Sequence, residues 1–118
     1  MKREIKFRAW IPRLEQIQLV NCLEWHDGTI DIDAIHAQVR DSDMVLMQFT
    51  GLKDKNGMDV YEGDVINDNG CRGAVIYEAP AFMLKYDFED YPQEFDDLYA
   101  SHIEVIGNIY ENPELLNQ

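Results

Sequence analysis

Apolar residues recur at every second position through most of this chain. In residues 3–10, Ile5, Phe7 and Ala9 fall on one side and Lys6, Arg8 and Trp10 on the other, the two-residue period of a β-strand. Pro12 has no amide to give a ladder and ends the run. From there the odd positions Ile17, Leu19, Leu23 and Trp25 are apolar, interrupted by Asn21. Beyond Asp27-Gly28, Ile30 and Ile32 alternate with acids. Alternating runs around Asp-Gly predict a hairpin, because glycine at the second turn position tolerates the positive φ of a type I′ turn. Asp33 is placed to cap a short helix through Val39, with Ile35 and Val39 four apart. Met44–Phe49 is an apolar run broken only by Gln48, which predicts a strand covered on both faces.

Shorter segments follow. Lys53–Gly57 reads as a charged loop closing on Asn56-Gly57, and Val60-Tyr61 as extended chain. Glu62-Gly63-Asp64 turns into Val65-Ile66: its glycine allows a sharp bend and its aspartate can accept local backbone hydrogen bonds. Asn67-Asp68-Asn69-Gly70 is another tight turn, and Ala74–Tyr77 and Ala81–Tyr86 complete a meander. Residues 87–101 are acid-rich. Pro92 at a first helical position, with Phe95, Leu98 and Tyr99 at helical spacing, permits a short helix there, with a loop as the alternative. Ile103–Tyr110 predicts a last strand, and Asn112-Pro113-Glu114 the cap and first turn of a terminal helix. Many short strands punctuated by turns indicate a mainly β protein and exclude βαβ units. Residues 44–110 are expected to form an antiparallel barrel or strongly bent sheet, with Leu46, Phe49, Val65, Val75 and Ile106 in its core.

Three blocks, Met1–Trp10, Leu46–Ile66 and Glu104–Leu116, resemble the YopX family of small phage and prophage proteins. They cover a little over a third of the 118 residues, in the family's order. Ile11-Pro12 stands where a polar residue, often Asp, is usual after the tryptophan, and segments 14–45 and 78–101 match nothing in the pattern. The resemblance implies a small antiparallel SH3-type barrel in residues 44–118, carrying the acidic insertion, with residues 1–43 as an N-terminal strand and hairpin extension and with short helical segments. It implies a phage accessory protein and no particular biochemical activity.

Composition narrows the setting. A chain of 118 residues with 46% hydrophobic content can bury a modest core without metals or disulfides. Two cysteines far apart, Cys22 and Cys71, fit a reducing interior. The charged N-terminus has no apolar core of a signal peptide, and no apolar run is long enough to span a membrane, so the expected location is the bacterial cytoplasm.

The net charge is −13 and lopsided. Residues 1–13 hold Lys2, Arg3, Lys6, Arg8 and Arg13 against Glu4. No lysine or arginine follows Lys85, while nine acids do. Such a field repels nucleic acid. It has two readings: solubility with internal pairing between the basic first strand and the acidic last third, or an acidic face that meets a basic protein.

Motifs for catalysis fail in turn. No phosphate-binding glycine loop, nucleophile elbow or zinc spacing occurs, and His26, His36 and His102 fit no ligand pattern. Asp54-Lys55-Asn56-Gly57 has its glycine too early for a calcium loop and reads as a turn. No cofactor is expected. A carboxylate site for Mg²⁺-assisted phosphodiester cleavage stays open, although with 23 acids a pair such as Glu62 and Asp64 arises by chance. Trp10, Trp25, Tyr61, Tyr77, Tyr86 and Tyr91 form either a surface cluster for peptides or part of the core. The leading expectation is a non-enzymatic protein-binding module, with Asp87, Glu89, Asp90, Glu94, Asp96 and Asp97 meeting a basic host or phage protein. The alternative is a nucleic-acid-binding SH3-like module using Lys2, Arg3, Lys6 and Arg8 with Phe7 or Trp10 stacking. A homo-oligomer is also open.

Overall fold

Period-two alternation becomes strand almost everywhere in the computed structural model, which describes residues 6–26, 29–34, 37–40, 44–78, 81–86 and 93–115. The protein is mainly β, with two antiparallel sheets. The first comprises β1 (Phe7–Ile11), β2 (Gln16–His26), β3 (Thr29–Ala34), β4 (Ala37–Arg40), β5 (Val45–Lys53) and β6 (Asp59–Tyr61), in the order β4-β3-β2-β1-β5-β6. The second comprises β7 (Asp64–Asp68), β8 (Cys71–Glu78), β9 (Ala81–Tyr86), β10 (Gln93–Glu94) and β11 (Glu104–Asn108), in the order β10-β9-β8-β7-β11. One four-residue helix, α1 (Asp97–Ala100), and a 3₁₀ turn at Pro113–Leu115 complete the described elements.

The expected helix from Asp33 to Val39 does not form in the described residues. Asp33 lies in β3 opposite Gln38 of β4, and Ala34 pairs with Ala37. The Ile30, Ile32 alternation runs on through this segment, and two apolar residues four apart do not make a helical stripe that can outweigh it. The Asp27-Gly28 step itself lies outside the described residues, but His26 pairs with Thr29 on either side of it, as a hairpin requires.

The odd-numbered apolar face expected along β2 is also corrected. Leu19 is 51% exposed while Gln18 is buried opposite Ala9. The β1–β2 register sets Gln18 opposite buried Ala9, and beyond it Val20 pairs with Ala34 and Cys22 with Asp33, so Asn21 is an extra residue in a β-bulge. One inserted residue shifts the alternation by one and ends a single odd face. The amide of buried Gln18 bonds Gln16 Oε1 at 2.7 Å.

The core has two parts. Ala9, Ile11 and Met44 form the smaller, with Val20 and Leu46 packed against it. Ile11 thus continues the apolar side of β1. The larger lies under the second sheet: Val60, Ile66, Val75, Phe82, Leu84, Tyr86, Phe95, Ala100 and Ile103. Of the expected core residues, Phe49, Val65 and Val75 are buried, whereas Leu46 and Ile106 are half-buried. β5 alternates between covered and half-covered positions and is not buried on both faces as expected.

Gly63 connects the sheets. Its φ is +90°, which glycine adopts without a Cβ penalty, and a Cβ there would stand 2.9 Å from Met47 Sδ. Its amide donates to Val75 O at 2.8 Å and its carbonyl accepts from Ile109 N at 2.9 Å. Buried Asp54 ties the β5–β6 loop to β11. Its Oδ1 accepts from Asn56 and Met58 amides, and its Oδ2 from Val105 N at 2.9 Å. Lys55 N donates to Ile103 O. These links join the β5–β6 loop to the second sheet, and the two sheets include one half-barrel. At the far end Pro113 opens a 3₁₀ turn, and Asn112 Oδ1 receives the Asn108 amide.

Candidate functional site

Two polar assemblies stand out against this frame. The first lies where β1 meets the Gly63 bend. Arg8 on β1 pairs with Asp64 at the start of β7. The Asp64 side chain is 1% exposed and that of Arg8 is 13% exposed, so the pair is internal. Asp64 Oδ2 also accepts from Tyr61 N at 2.8 Å. The guanidinium lies 4.6 Å from the Tyr61 ring centre, and one amino group is 3.7 Å from Met47 Sδ. Burial pushes the Asp64 carboxyl above its ordinary range, opposed by the Arg8 charge and the Tyr61 amide. Nearby, Asp59 accepts from Lys6 at 2.5 Å and Lys53 at 2.6 Å. Burial raises that carboxyl too, but the two lysines outweigh it and hold it below its usual value. Lys6 also stands 4.5 Å from the Phe49 ring centre.

These contacts show two partners of the basic first strand. Lys6 and Arg8 pair with Asp59 and Asp64 of the middle block. Trp10 is stacked on Tyr110, with ring centres 6.0 Å apart and planes 19° from parallel. Lys2 and Arg3 lie outside the described residues.

The second assembly is a cleft of about 310 Å³ lined by Asp68, Asn69, Tyr99 and His102. Asp68 ends β7, and Asn69-Gly70 turns the chain into β8 with φ of 51° and 91°. Positive φ at both central residues is the type I′ geometry that Asn-Gly favours, so a rigid hairpin fixes Asp68. Tyr99 sits on α1, whose first turn is capped by Asp96: Tyr99 N donates to Asp96 Oδ1 at 2.9 Å. The Tyr86 and Tyr99 hydroxyls are 2.6 Å apart, and each lies within hydrogen-bond reach of Asp68 Oδ2, at 3.3 and 3.2 Å. Two hydroxyl protons cannot serve three contacts at once. One tyrosine donates to the other, and the second donates to the carboxylate. Burial, then Tyr99 and Asp68, push the Tyr86 hydroxyl well above the usual tyrosine range.

The expected aromatic cluster divides. Tyr61 and Tyr86 are buried, Trp10 is half-buried, and Tyr77 is exposed with its ring edge-to-face on Phe82 at 5.1 Å. The Trp25 side chain and Tyr91 lie outside the described residues. Of the expected partner-binding residues, Asp96 is exposed and caps α1, and Glu94 and Asp97 lie in β10 and α1. Asp87, Glu89 and Asp90 lie outside the described residues. Among the described residues, no three of His, Cys, Asp and Glu converge as metal ligands would. Sequence reasoning missed the cleft. It read Asp68 and Asn69 only as a turn, Tyr99 as a helix face and His102 as a histidine without a partner.

Comparison with known proteins fits this architecture. The family model described as YopX protein matches residues 6–117. The crystal structure of protein EF1440 from Enterococcus faecalis is similar over 98% of this chain and 99% of its own, at 28% identity and a TM-score of 0.68. No curated protein matches.

Proposed function

Since the chain belongs to the YopX family, we propose that it is a phage or prophage accessory protein that binds another protein in the host cytoplasm, without catalysis. The half-barrel is read as an SH3-type module spanning residues 44–118, with residues 1–43 as its extension. Asp87, Glu89, Asp90, Glu94, Asp96 and Asp97 form its docking face toward a basic patch on a host or phage protein. One observation carries this reading. Asp96, the acid of the 87–97 run whose side chain is described, is exposed. That run has six acids and no lysine or arginine of its own. Long-range charge of one sign steers encounter with a partner of the other. Among the described residues, no helix is long and apolar enough to cross a membrane.

The test changes all six acids to Asn or Gln. Asn still caps α1 at position 96, and surface substitutions of this kind shift stability by about 0.5 kcal/mol or less each. The melting temperature should hold while capture of a partner from infected cells weakens, mainly through slower association. A lower melting temperature with unchanged capture would sink the docking reading.

A further inference from the structure

We infer that the cleft beside Asp68 receives one arginine side chain from the basic partner, a site that rests on the protein-binding reading above. A carboxylate offers about four acceptor positions. The tyrosine pair supplies one proton to Oδ2, and among the described residues no side-chain donor reaches Oδ1. About three positions therefore stay open, enough for the two parallel N–H bonds of a guanidinium.

The walls suit the same ligand. Tyr99 offers an aromatic ring, on which a planar guanidinium stacks more readily than an ammonium does. Asn69 adds an amide that can accept or donate. The volume of about 310 Å³ lies at the small end of ligand sites, the size for a side chain rather than a large cofactor. The chain also connects the cleft to the docking face. The acid run leads into Asp96, which caps the helix that carries Tyr99. Charge brings the partner in, and the cleft reads which cation it presents.

The experiment uses the full chain and three synthetic peptides: a lysine-rich octapeptide with one central arginine, and the same peptide with lysine or with uncharged citrulline at that position. Binding is followed by titration and by backbone amide shifts. The arginine peptide should bind about tenfold more tightly than the other two, the scale of one well-made charge-assisted contact. Its shifts should centre on Asn69, Gly70 and His102. Asp68→Asn should erase the preference while leaving charge-driven binding. Because the peptide arm needs no change in the protein, a folding defect in Asp68→Asn cannot mask the answer. Equal affinity for the three peptides, or shifts centred elsewhere, overturns the arginine site. The six-fold neutralised variant separates the two ideas: weaker binding of all three peptides with the arginine preference kept supports both. Unchanged affinities there refute the acidic docking face and leave the cleft standing.

Discussion

Replacing Arg8 with methionine isolates the internal pair that ties β1 to the start of β7. Methionine keeps an unbranched apolar stem but leaves the Asp64 carboxylate, 1% exposed, with the Tyr61 amide as a donor and no cation beside it. Removing one member of a buried ion pair costs about 3–5 kcal/mol, and the low exposure of both side chains places this pair in that class. For 118 residues each kcal/mol moves the melting temperature by roughly 4 °C, so a drop of roughly 12–20 °C is expected at about pH 7.

Acid should narrow that deficit. The Asp64 carboxyl already titrates above its ordinary value of 3.8 because burial outweighs Arg8. Between the unfolded and folded values the native state holds more protons, and stability falls as pH rises through that window. Losing Arg8 removes the largest influence pulling the carboxyl down and extends the window upward. The deficit relative to the parent is therefore smallest near about pH 4 and grows toward neutrality. Arg8→Met combined with Asp64→Asn should recover most of the loss, because a neutral amide still accepts from Tyr61 N and no charge is stranded. Urea denaturation of the parent, both single variants and the double variant at the two pH values completes the cycle. An Arg8→Met cost below about 1 kcal/mol, or one independent of pH, would refute this account.

Three further outcomes can be checked. Asp54→Ala strands the Asn56, Met58 and Val105 amides and should cost about 2–3 kcal/mol, with faster hydrogen exchange at Val105; unchanged exchange there would remove Asp54 as the clip. Gly63→Ala should cost about 2 kcal/mol in denaturant, from its positive φ and the contact with Met47 Sδ, and a neutral result would show that the bend relaxes freely. In an absorbance titration of the folded protein, Tyr86 should ionise well above the ordinary tyrosine range; ionisation of all six tyrosines together within that range would contradict its buried contact with Tyr99 and Asp68.

What could be read in advance was local. Asn69-Gly70, Asn56-Gly57 and Gly63 announce turns because only a few residue types tolerate positive φ, and all three glycines adopt it. Strand alternation carried β1, and apolar segments between turns carried β5, β8 and β9, though β5 proved not to be covered on both faces. The β2 face was misjudged because pairing with β1 decides which side is covered, and the bulge at Asn21 shows itself only once β3 sets the register. The helix expected from Asp33 failed because the pattern around it was short enough to serve either period. Both polar assemblies depend on distant positions meeting, Arg8 with Asp64 and Asp68 with Tyr99, and no local periodicity encodes such pairs. Asp68 ends β7 and Tyr86 ends β9, while Tyr99 lies within α1.

The 56-residue separation of Arg8 from its carboxylate has a consequence during synthesis. At translation rates of roughly 5–20 residues per second, Asp64 is added roughly 3–11 s after Arg8. The first strand made is thus among the last to be locked. A nascent chain arrested after Lys53 carries the partners for the β1–β2 and β1–β5 ladders but no acceptor for the guanidinium. Such a truncated product holds β1 by its two ladders alone, without the ion pair that ties it to β7 in the finished chain.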